Sequence, residues 1–240
     1  MTAKEIAGMM DVSAVRADST LEEIRQSAEL AKCYGCVAVF ALPAHTPHLL
    51  EQLAGSAVFA GGTVGFPGGG ETTAVKVATA SELVQMGCRE IDMVNNLAWL
   101  KAGDKDLYVS DVKAVIAASD GRPVKVILEG HWLSEDEVVR ACEWCVEAGA
   151  AWVKTGTGWA PSGATCANVA LMKRTVQERC GVKAAGGVRD LGTLLALHGC
   201  GARRFGIGVR TAQAILHAAE ECDPRMTQIN ENSLDAGSAY

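Results

Sequence analysis

Short apolar runs alternate with amphipathic segments over most of this 240-residue chain, and that alternation constrains the fold more than any other feature. Each run is short and rich in Val, Ile or small residues, a pattern typical of strands that are buried on both faces of a parallel sheet. The runs lie at 37–42, 57–66, 90–95, 124–130, 151–156, 182–187 and 204–208, with a weaker one at 9–15. The sequence therefore predicts eight strands.

The segments between the runs carry apolar residues at helical spacing. Two of them open on capping-box pairs, Thr20 with Glu23 and Ser134 with Glu137. The predicted helices lie at 20–34, 45–55, 71–87, 105–119, 134–148, 165–180, 190–199 and 209–221. Strands and helices therefore alternate in eight successive units.

Eight strand–helix units fit two α/β architectures, a closed eight-stranded barrel or an open doubly wound sheet. No GxGxxG fingerprint follows the first strand, and eight units match the closure of a barrel of about 250 residues. We therefore predict a single-domain (β/α)8 TIM barrel over residues 1–223. The last stretch, 224–240, is polar and aperiodic, and we predict that it forms a flexible tail.

The composition disfavours several classes of partner. The net charge is −6 and the isoelectric point about 5.4, whereas nucleic acids and anionic membrane surfaces select basic patches. The first residues contain no apolar run of the signal-peptide kind, and no stretch approaches the roughly 18 apolar residues of a membrane helix. We expect a cytoplasmic protein with a small-molecule substrate and with no nucleic-acid or membrane partner. A homodimer is compatible with these properties.

Nine cysteines include two pairs with CxxC spacing, Cys33 with Cys36 and Cys142 with Cys145, which could together suggest zinc. Both pairs lie in helical patterns far apart in the chain, where cysteine behaves as a small apolar residue. We therefore predict neither a metal nor a cofactor, and we expect reduced thiols.

Ionisable residues stand in or at the ends of several apolar runs, which is where a barrel carries its active site. They are Asp11, Asp92, Glu129, Lys154 and Lys183. Burying them without purpose would cost several kcal/mol each unless they pair. A structural ion-pair network is one interpretation. Two lysines on adjacent strands that face carboxylates favour a functional site instead.

That arrangement suits amine chemistry. A lysine attacks a carbonyl only as the neutral amine, and burial and a neighbouring cation both lower its pKa from about 10.4. Lys183 can supply the cation beside Lys154. A neutral Lys154 can then form an iminium that serves as an electron sink for carbon–carbon cleavage. Asp92 can move protons through a bound water.

The stretches AWVKTGTGWAPSGAT and GVKAAGGVRD resemble the two lysine motifs of the deoxyribose-phosphate aldolase family. EIDMVNN with LKAGD resembles its acid–base aspartate motif, TVGFPGG its third-strand loop, and MMDVSAV its first strand. The resemblance covers roughly residues 8–222. It implies Lys154 as the Schiff-base lysine, Lys183 as the neighbour that lowers its pKa, and Asp92 as the proton-relay acid. Some members end in a tyrosine that assists proton transfer, and this chain ends in Tyr240.

The resemblance and the barrel's strand ends together give a set of predicted substrate contacts. They are Asp11, Thr157, Gly158, Gly186, Gly187, Gly206, Gly208 and Arg210. The glycines following strands seven and eight can offer backbone N–H groups to a phosphate.

This chain also departs from the family pattern. Gly156 and Ala185 stand where the lysine motifs usually have serine, and Gly208 with Val209 replaces two serines that help to hold the substrate phosphate. Arg210 follows directly, and its guanidinium suits phosphate, so we predict that it partly restores that contact. The alternative is that Arg210 points to solvent.

The histidines carry weaker signals. Gly130 and His131 follow Glu129 where the family usually has Thr-Cys, and His131 is either an added acid or base at the barrel mouth or a solvent-facing residue, the latter being more common. His45 and His48 have a spacing that suits a metal, but no third ligand stands nearby in the sequence, so we expect them on the surface.

Two functions of different classes remain open at this point. The first is a class I aldolase acting on 2-deoxy-D-ribose 5-phosphate, or the same lysine chemistry on another aldehyde or sugar. The second is a barrel that binds a sugar or phosphate ligand without catalysis. Fold analogy alone does not separate them.

Overall fold

Eight parallel strands close into a barrel in the computed structural model, which describes residues 1–222. The strands are β1 (Met10–Ala14), β2 (Ala38–Ala41), β3 (Phe59–Val64), β4 (Glu90–Val94), β5 (Val124–Ile127), β6 (Trp152–Lys154), β7 (Gly181–Ala185) and β8 (Arg204–Ile207). Each strand pairs with the next in sequence, and β8 pairs back to β1. The predicted single-domain (β/α)8 barrel is confirmed, and the open doubly wound sheet is excluded.

Helices cover the outside of the barrel. They are α1 (Ala3–Ala7), α2 (Leu21–Tyr34), α3 (Thr46–Leu53), α4 (Thr73–Met86), α5 (Leu97–Ala102), α6 (Lys105–Ala118), α7 (Glu135–Ala148), α8 (Cys166–Val176), α9 (Leu191–Gly199) and α10 (Val209–Glu221). All eight predicted helices are present, although the one predicted for 165–180 ends at Val176. The predicted strict alternation of eight helices with eight strands is wrong at two places, because α1 precedes β1 and α5 lies between β4 and α6.

The two additional helices are short and begin at local caps rather than at apolar stripes. The side chain of Thr2 caps α1 in a capping box with Glu5, and the side chain of Asn96 accepts a hydrogen bond from the Trp99 amide at the start of α5. One or two turns of helix are too short to show a helical period in the sequence, which explains why the pattern did not predict them.

Strand residues alternate between the barrel interior and the helix layer. On β3, a Cβ added to Gly61 would lie 2.3 Å from the ring of Phe40, whereas one added to Gly62 would meet Leu83 of α4 at 2.7 Å. Gly61 therefore faces inward and Gly62 outward. Valines in the outward phase, such as Val126 and Val153, join one apolar core with the helices. The inward phase carries most of the charged residues described below.

Within residues 1–222, no helix is long and apolar enough to cross a membrane. In the same part of the chain, no group of three or more His, Cys, Asp or Glu side chains is arranged to hold a metal ion. The nine cysteines are free thiols. The predicted tail, 224–240, and with it Tyr240, lies outside the described residues.

Candidate active site

Lys154 ends β6 at the carboxyl-terminal mouth of the barrel, with only 5% of its surface exposed. Its Nζ donates a hydrogen bond of 2.8 Å to Oδ2 of Asp92, which projects inward from the middle of β4. The two residues are 62 positions apart in sequence, and the barrel brings them together. The predicted nucleophile and the predicted acid–base residue are therefore direct partners.

Lys183 lies beside Lys154, because the two residues are aligned in the β6–β7 register. Its Nζ donates to the same Asp92 oxygen at 2.8 Å and to Oδ2 of Asp11 at 2.6 Å. Gly206 makes room for this side chain, since a Cβ there would lie 3.2 Å from the Lys183 Cε. Gly206 thus shapes the barrel interior.

Three further charged residues complete the cluster, and sequence reasoning missed them. Lys125 donates to Glu90 at 2.6 Å and lies 3.2 Å from Asp92 Oδ1. Arg204 bridges Asp11 at 2.6 Å and Glu90 at 2.9 Å. The signal was available, because Glu90 stands two residues before Asp92 and therefore shares its inward phase.

We refer to these seven buried residues as the interior charge network. Its members are Asp11, Glu90, Asp92, Lys125, Lys154, Lys183 and Arg204. The ion-pair network considered as an alternative from the sequence is therefore present, and the predicted nucleophile is one of its members.

The network changes the proton affinity of its groups. The pKa of the Lys154 amine is lowered to about 8, chiefly by burial, with the charges of Lys183 and Lys125 acting in the same direction and Asp92 opposing them. At pH 7 roughly one amine in ten is then neutral, against roughly one in 2,500 at the ordinary lysine pKa. Lys154 is thereby available as a nucleophile near neutral pH.

The Asp92 carboxyl behaves in the opposite way. Burial alone would raise its pKa, but the charges of Lys125, Lys154 and Lys183 outweigh burial and hold the pKa well below its ordinary value. Asp92 is therefore a carboxylate that can accept a proton, directly or through a water.

A second buried carboxylate, Glu129, lies at the mouth just after β5. It accepts hydrogen bonds from the Thr157 amide at 3.2 Å and from the Thr157 hydroxyl. A Cβ at Gly156 would lie 2.7 Å from Glu129 Oε1, so the glycine that replaces the family's serine leaves space for this carboxylate. The departure at Gly156 therefore has a steric explanation.

Thr63 places a hydroxyl in the barrel near the reactive groups. It pairs with Asp92 in the β3–β4 register and is 2% exposed. Its position two residues after Gly61 puts it in the inward phase. Its Oγ1 has no hydrogen-bond partner among residues 1–222. A buried hydroxyl without a protein partner at this position is a candidate contact for a bound molecule.

A cavity of about 340 Å³ opens between the loops after β6 and β7. It is lined by Gly158, Gly186, Gly187 and Arg189, among others. Gly186 and Gly187 have φ values of 79° and 78°, a left-handed conformation that favours glycine. Three predicted substrate contacts therefore converge. Arg189 is the charged residue in this cavity, and sequence reasoning missed it although it lies in the GVKAAGGVRD motif.

Gly208 is the N-cap of α10, and Arg210 lies in the first turn of that helix. They line a different cavity, of about 450 Å³, between the amino-terminal ends of α2 and α10, together with Arg16. Arg210 is exposed and also lines a groove along α2. Among the cavities described, Gly208 and Arg210 therefore line a different one from Gly186 and Gly187.

The histidines are peripheral. His131 is exposed at the mouth, where its Nδ1 lies 2.6 Å from the Ser162 hydroxyl of the following loop. His48 lies 3.8 Å from Glu51 on α3, and His45 ends the short 3-10 helix before it.

The fold and this arrangement define a (β/α)8-barrel protein with a buried lysine–carboxylate site at its strand ends. The model of the DeoC/LacD family of aldolases matches residues 9–218 of the chain. The chain therefore belongs to the DeoC/LacD family of aldolases, and it is a carbon–carbon lyase.

Individual relatives agree with that assignment. A deoxyribose-phosphate aldolase of Klebsiella pneumoniae is 42% identical over 232 residues, which covers 95% of this chain and 93% of that protein. A deoxyribose-phosphate aldolase of Methanothermobacter thermautotrophicus is 43% identical over 206 residues, covering 85% and 92%. Among solved structures, the aldolase QR15 superposes with a TM-score of 0.84 at 33% identity, over 89% of this chain and 95% of its own.

Proposed function

We propose that this protein is a class I aldolase that cleaves 2-deoxy-D-ribose 5-phosphate to acetaldehyde and D-glyceraldehyde 3-phosphate through a Schiff base on Lys154. The observation that carries the proposal is the buried Lys154 amine, hydrogen-bonded to Asp92, with a pKa lowered to about 8. The names of its relatives support the choice of substrate.

The reaction begins when the neutral Lys154 amine attacks the aldehyde carbon, C1, of the open-chain sugar. Loss of water gives an iminium. The C3 hydroxyl then gives up its proton, the C2–C3 bond breaks, and its electrons move into the iminium to form an enamine. C3 leaves as the aldehyde of glyceraldehyde 3-phosphate.

Protonation of the enamine carbon and hydrolysis of the resulting iminium release acetaldehyde and restore the amine. Asp92 is the proposed acceptor and donor of these protons through a water. The Thr63 hydroxyl, aligned with Asp92, is the proposed partner for that water or for the substrate's C3 hydroxyl.

We place the phosphate in the cavity between the loops after β6 and β7. Arg189 forms no hydrogen bond or ion pair with another residue of the described chain, so its guanidinium is available to an anion. Gly158, Gly186 and Gly187 line the same cavity, and their backbone N–H groups are the further proposed donors to the phosphate. This assignment moves the arginine contact from Arg210 to Arg189.

Reductive trapping tests the Schiff base. Borohydride added with acetaldehyde should attach an ethyl group to Lys154, which mass spectrometry of the peptide containing residues 152–159 would locate. Lys154→Met is the matched control and should trap nothing. Labelling of another lysine, or none at all in the parent, would contradict the mechanism and favour a non-catalytic sugar-phosphate-binding barrel.

A second substrate class has its own support. Gly208, the N-cap of α10, provides no side-chain hydrogen bond there, because Gly208 and Val209 replace the hydroxyl residues of the family pattern. The same lysine chemistry on an unphosphorylated sugar or aldehyde is therefore the alternative. Comparison of kcat/KM for deoxyribose with and without its 5-phosphate decides between the two, since an enzyme that holds the phosphate must prefer the phosphorylated sugar.

A further inference from the structure

The interior charge network contains one cation more than it contains carboxylates. The carboxylates are Asp11, Glu90 and Asp92, and the cations are Lys125, Lys154, Lys183 and Arg204. If every group is ionised, three negative and four positive charges leave one buried positive charge uncompensated. If one lysine is neutral, three carboxylates face three cations. An electrically neutral network avoids the desolvation cost of an uncompensated ion.

The contacts indicate which cation is in excess. Lys125 lies within 4.0 Å of three carboxylates, and both Lys183 and Arg204 lie within that distance of two. Among the carboxylates of residues 1–222, Lys154 lies within 4.0 Å of Asp92 alone, through the oxygen to which Lys183 also donates. Lys154 is therefore the least compensated cation of the network.

We propose that Lys125, Glu90 and Arg204 are positioning residues, which fix the net charge around Lys154 so that Lys154 is the amine of the network that loses its proton. The inference rests on the proposed function, because it concerns the same nucleophile. It assigns the activation of Lys154 to the charge of the whole network, of which Lys183 is one part, since Lys183 is itself compensated by Asp11 and Asp92.

The groups around Lys154 come from every strand that packs against it. Asp92 on β4 accepts a hydrogen bond from Lys154 itself. Lys183 on β7 donates to the same carboxylate, and Lys125 on β5 lies beside it. Glu129, after β5, is the remaining buried carboxylate at the mouth. It accepts hydrogen bonds from the amide and hydroxyl of Thr157, and no cation of the described chain lies within 4.0 Å of it.

Opposite changes of charge should move the Lys154 pKa in opposite directions. Lys125→Met removes a cation and should raise the pKa by about one pH unit or more, because Lys154 must then compensate a carboxylate. Glu90→Gln removes a carboxylate and should lower it. The double variant Glu90→Gln/Lys125→Met removes a hydrogen-bonded pair of opposite charge and should return the pKa close to the parent's.

Competitive acetylation of lysines as a function of pH, read by mass spectrometry of the Lys154 peptide, measures this pKa without any aldolase turnover. The pH profile of kcat/KM should follow it on the acidic side. If borohydride traps no imine in the parent while the opposed shifts occur, the proposed function fails and the inference stands. If borohydride traps the imine and the pKa shifts are absent, the proposed function stands and the inference fails.

Asp111→Asn is the matched control. It breaks a buried ion pair of 2.8 Å with Lys76, which lies outside the barrel interior between α4 and α6. It should lower the melting temperature and leave the Lys154 pKa unchanged. If Lys125→Met does not fold, Arg204→Met removes a cation from another strand with the same expected rise. Shifts of the same sign in both single variants, no recovery in the double variant, or an equal shift in Asp111→Asn would overturn the inference.

Discussion

At the scale of single residues, the site keeps Lys154 in an environment that suits nucleophilic attack and opposes folding. An amine whose pKa falls from its unfolded value to about 8 binds its proton less tightly in the folded protein. The free energy of unfolding is therefore smaller whenever Lys154 is protonated in the folded state. This loss of stability accompanies the reactivity of the amine.

Lys154→Met should accordingly stabilise the protein while it abolishes turnover. Each pKa unit corresponds to about 1.4 kcal/mol, and we expect a gain of roughly 1–3 kcal/mol in the free energy of unfolding at pH 6. The penalty in the parent is complete below pH 8, where both states are protonated, and disappears as the pH rises from about 8 through the unfolded lysine value near 10.4. Urea denaturation at several pH values measures this.

The exposed Lys113 provides the comparison, because Lys113→Met removes a lysine from the surface. It should give no gain that depends on pH in this range. A Lys154→Met protein that is less stable than its parent at pH 6 would show that the amine supports the barrel.

Thr63→Val separates a binding role from a structural one, because valine keeps the shape and removes the hydroxyl. A buried hydroxyl without a protein partner contributes nothing to folding, so stability should be unchanged or rise by about 1 kcal/mol. Loss of one hydrogen bond to the substrate or its water should lower kcat/KM about tenfold. A less stable variant with full activity would instead place the hydroxyl's partner within the protein.

At the scale of elements, the segments that follow β6 and β7 line one cavity and the segment that follows β8 lines another. The loops after β6 and β7 meet closely, since the Ala164 amide donates to the Gly186 carbonyl at 2.8 Å, and their cavity contains Arg189. Arg210, in the first turn of α10, is exposed and lines cavities shared with α2. Phosphate binding should therefore depend on the first pair of loops.

Arg189→Ala should raise the KM for deoxyribose 5-phosphate by roughly 10- to 150-fold, because a hydrogen bond to a charged group is worth about 1.5–3 kcal/mol. The KM for unphosphorylated deoxyribose should hardly change. Arg210→Ala is the matched arginine substitution, and we expect little effect on either substrate. A phosphate preference that survives Arg189→Ala and is lost in Arg210→Ala would place the phosphate at the start of α10 instead.

The sequence predicted the eight strands and eight of the helices, because those elements are long enough to show a period and are marked by caps or apolar runs. It did not predict α1 or α5, each a turn or two of helix beginning at a local cap. It grouped Gly208 and Arg210 with Gly186 and Gly187 because all four follow late strands. In the structure the two pairs line different cavities, which the order of the strands in the sequence does not show.

At the scale of the whole molecule, the sequence singled out part of the interior charge network and missed three of its members. Lys154, Lys183 and Asp92 stood out within recognisable motifs. Lys125, Glu90 and Arg204 stand in equally apolar strands, but their partners are on distant strands, and nothing in the local sequence shows which charges meet. The phase of each strand would have placed all of them inside the barrel.

The interior charge network joins the first strand of the barrel to its last two strands. Asp11 of β1 binds Lys183 and Arg204, which follow it by 172 and 193 residues. A growing chain that lacks β7 and β8 would have to bury the Asp11 carboxylate without these partners, which is strongly unfavourable. We therefore expect no stable half-barrel. The barrel should then fold stably only once β7 and β8 have been synthesised, so that its first strand acquires its partners last.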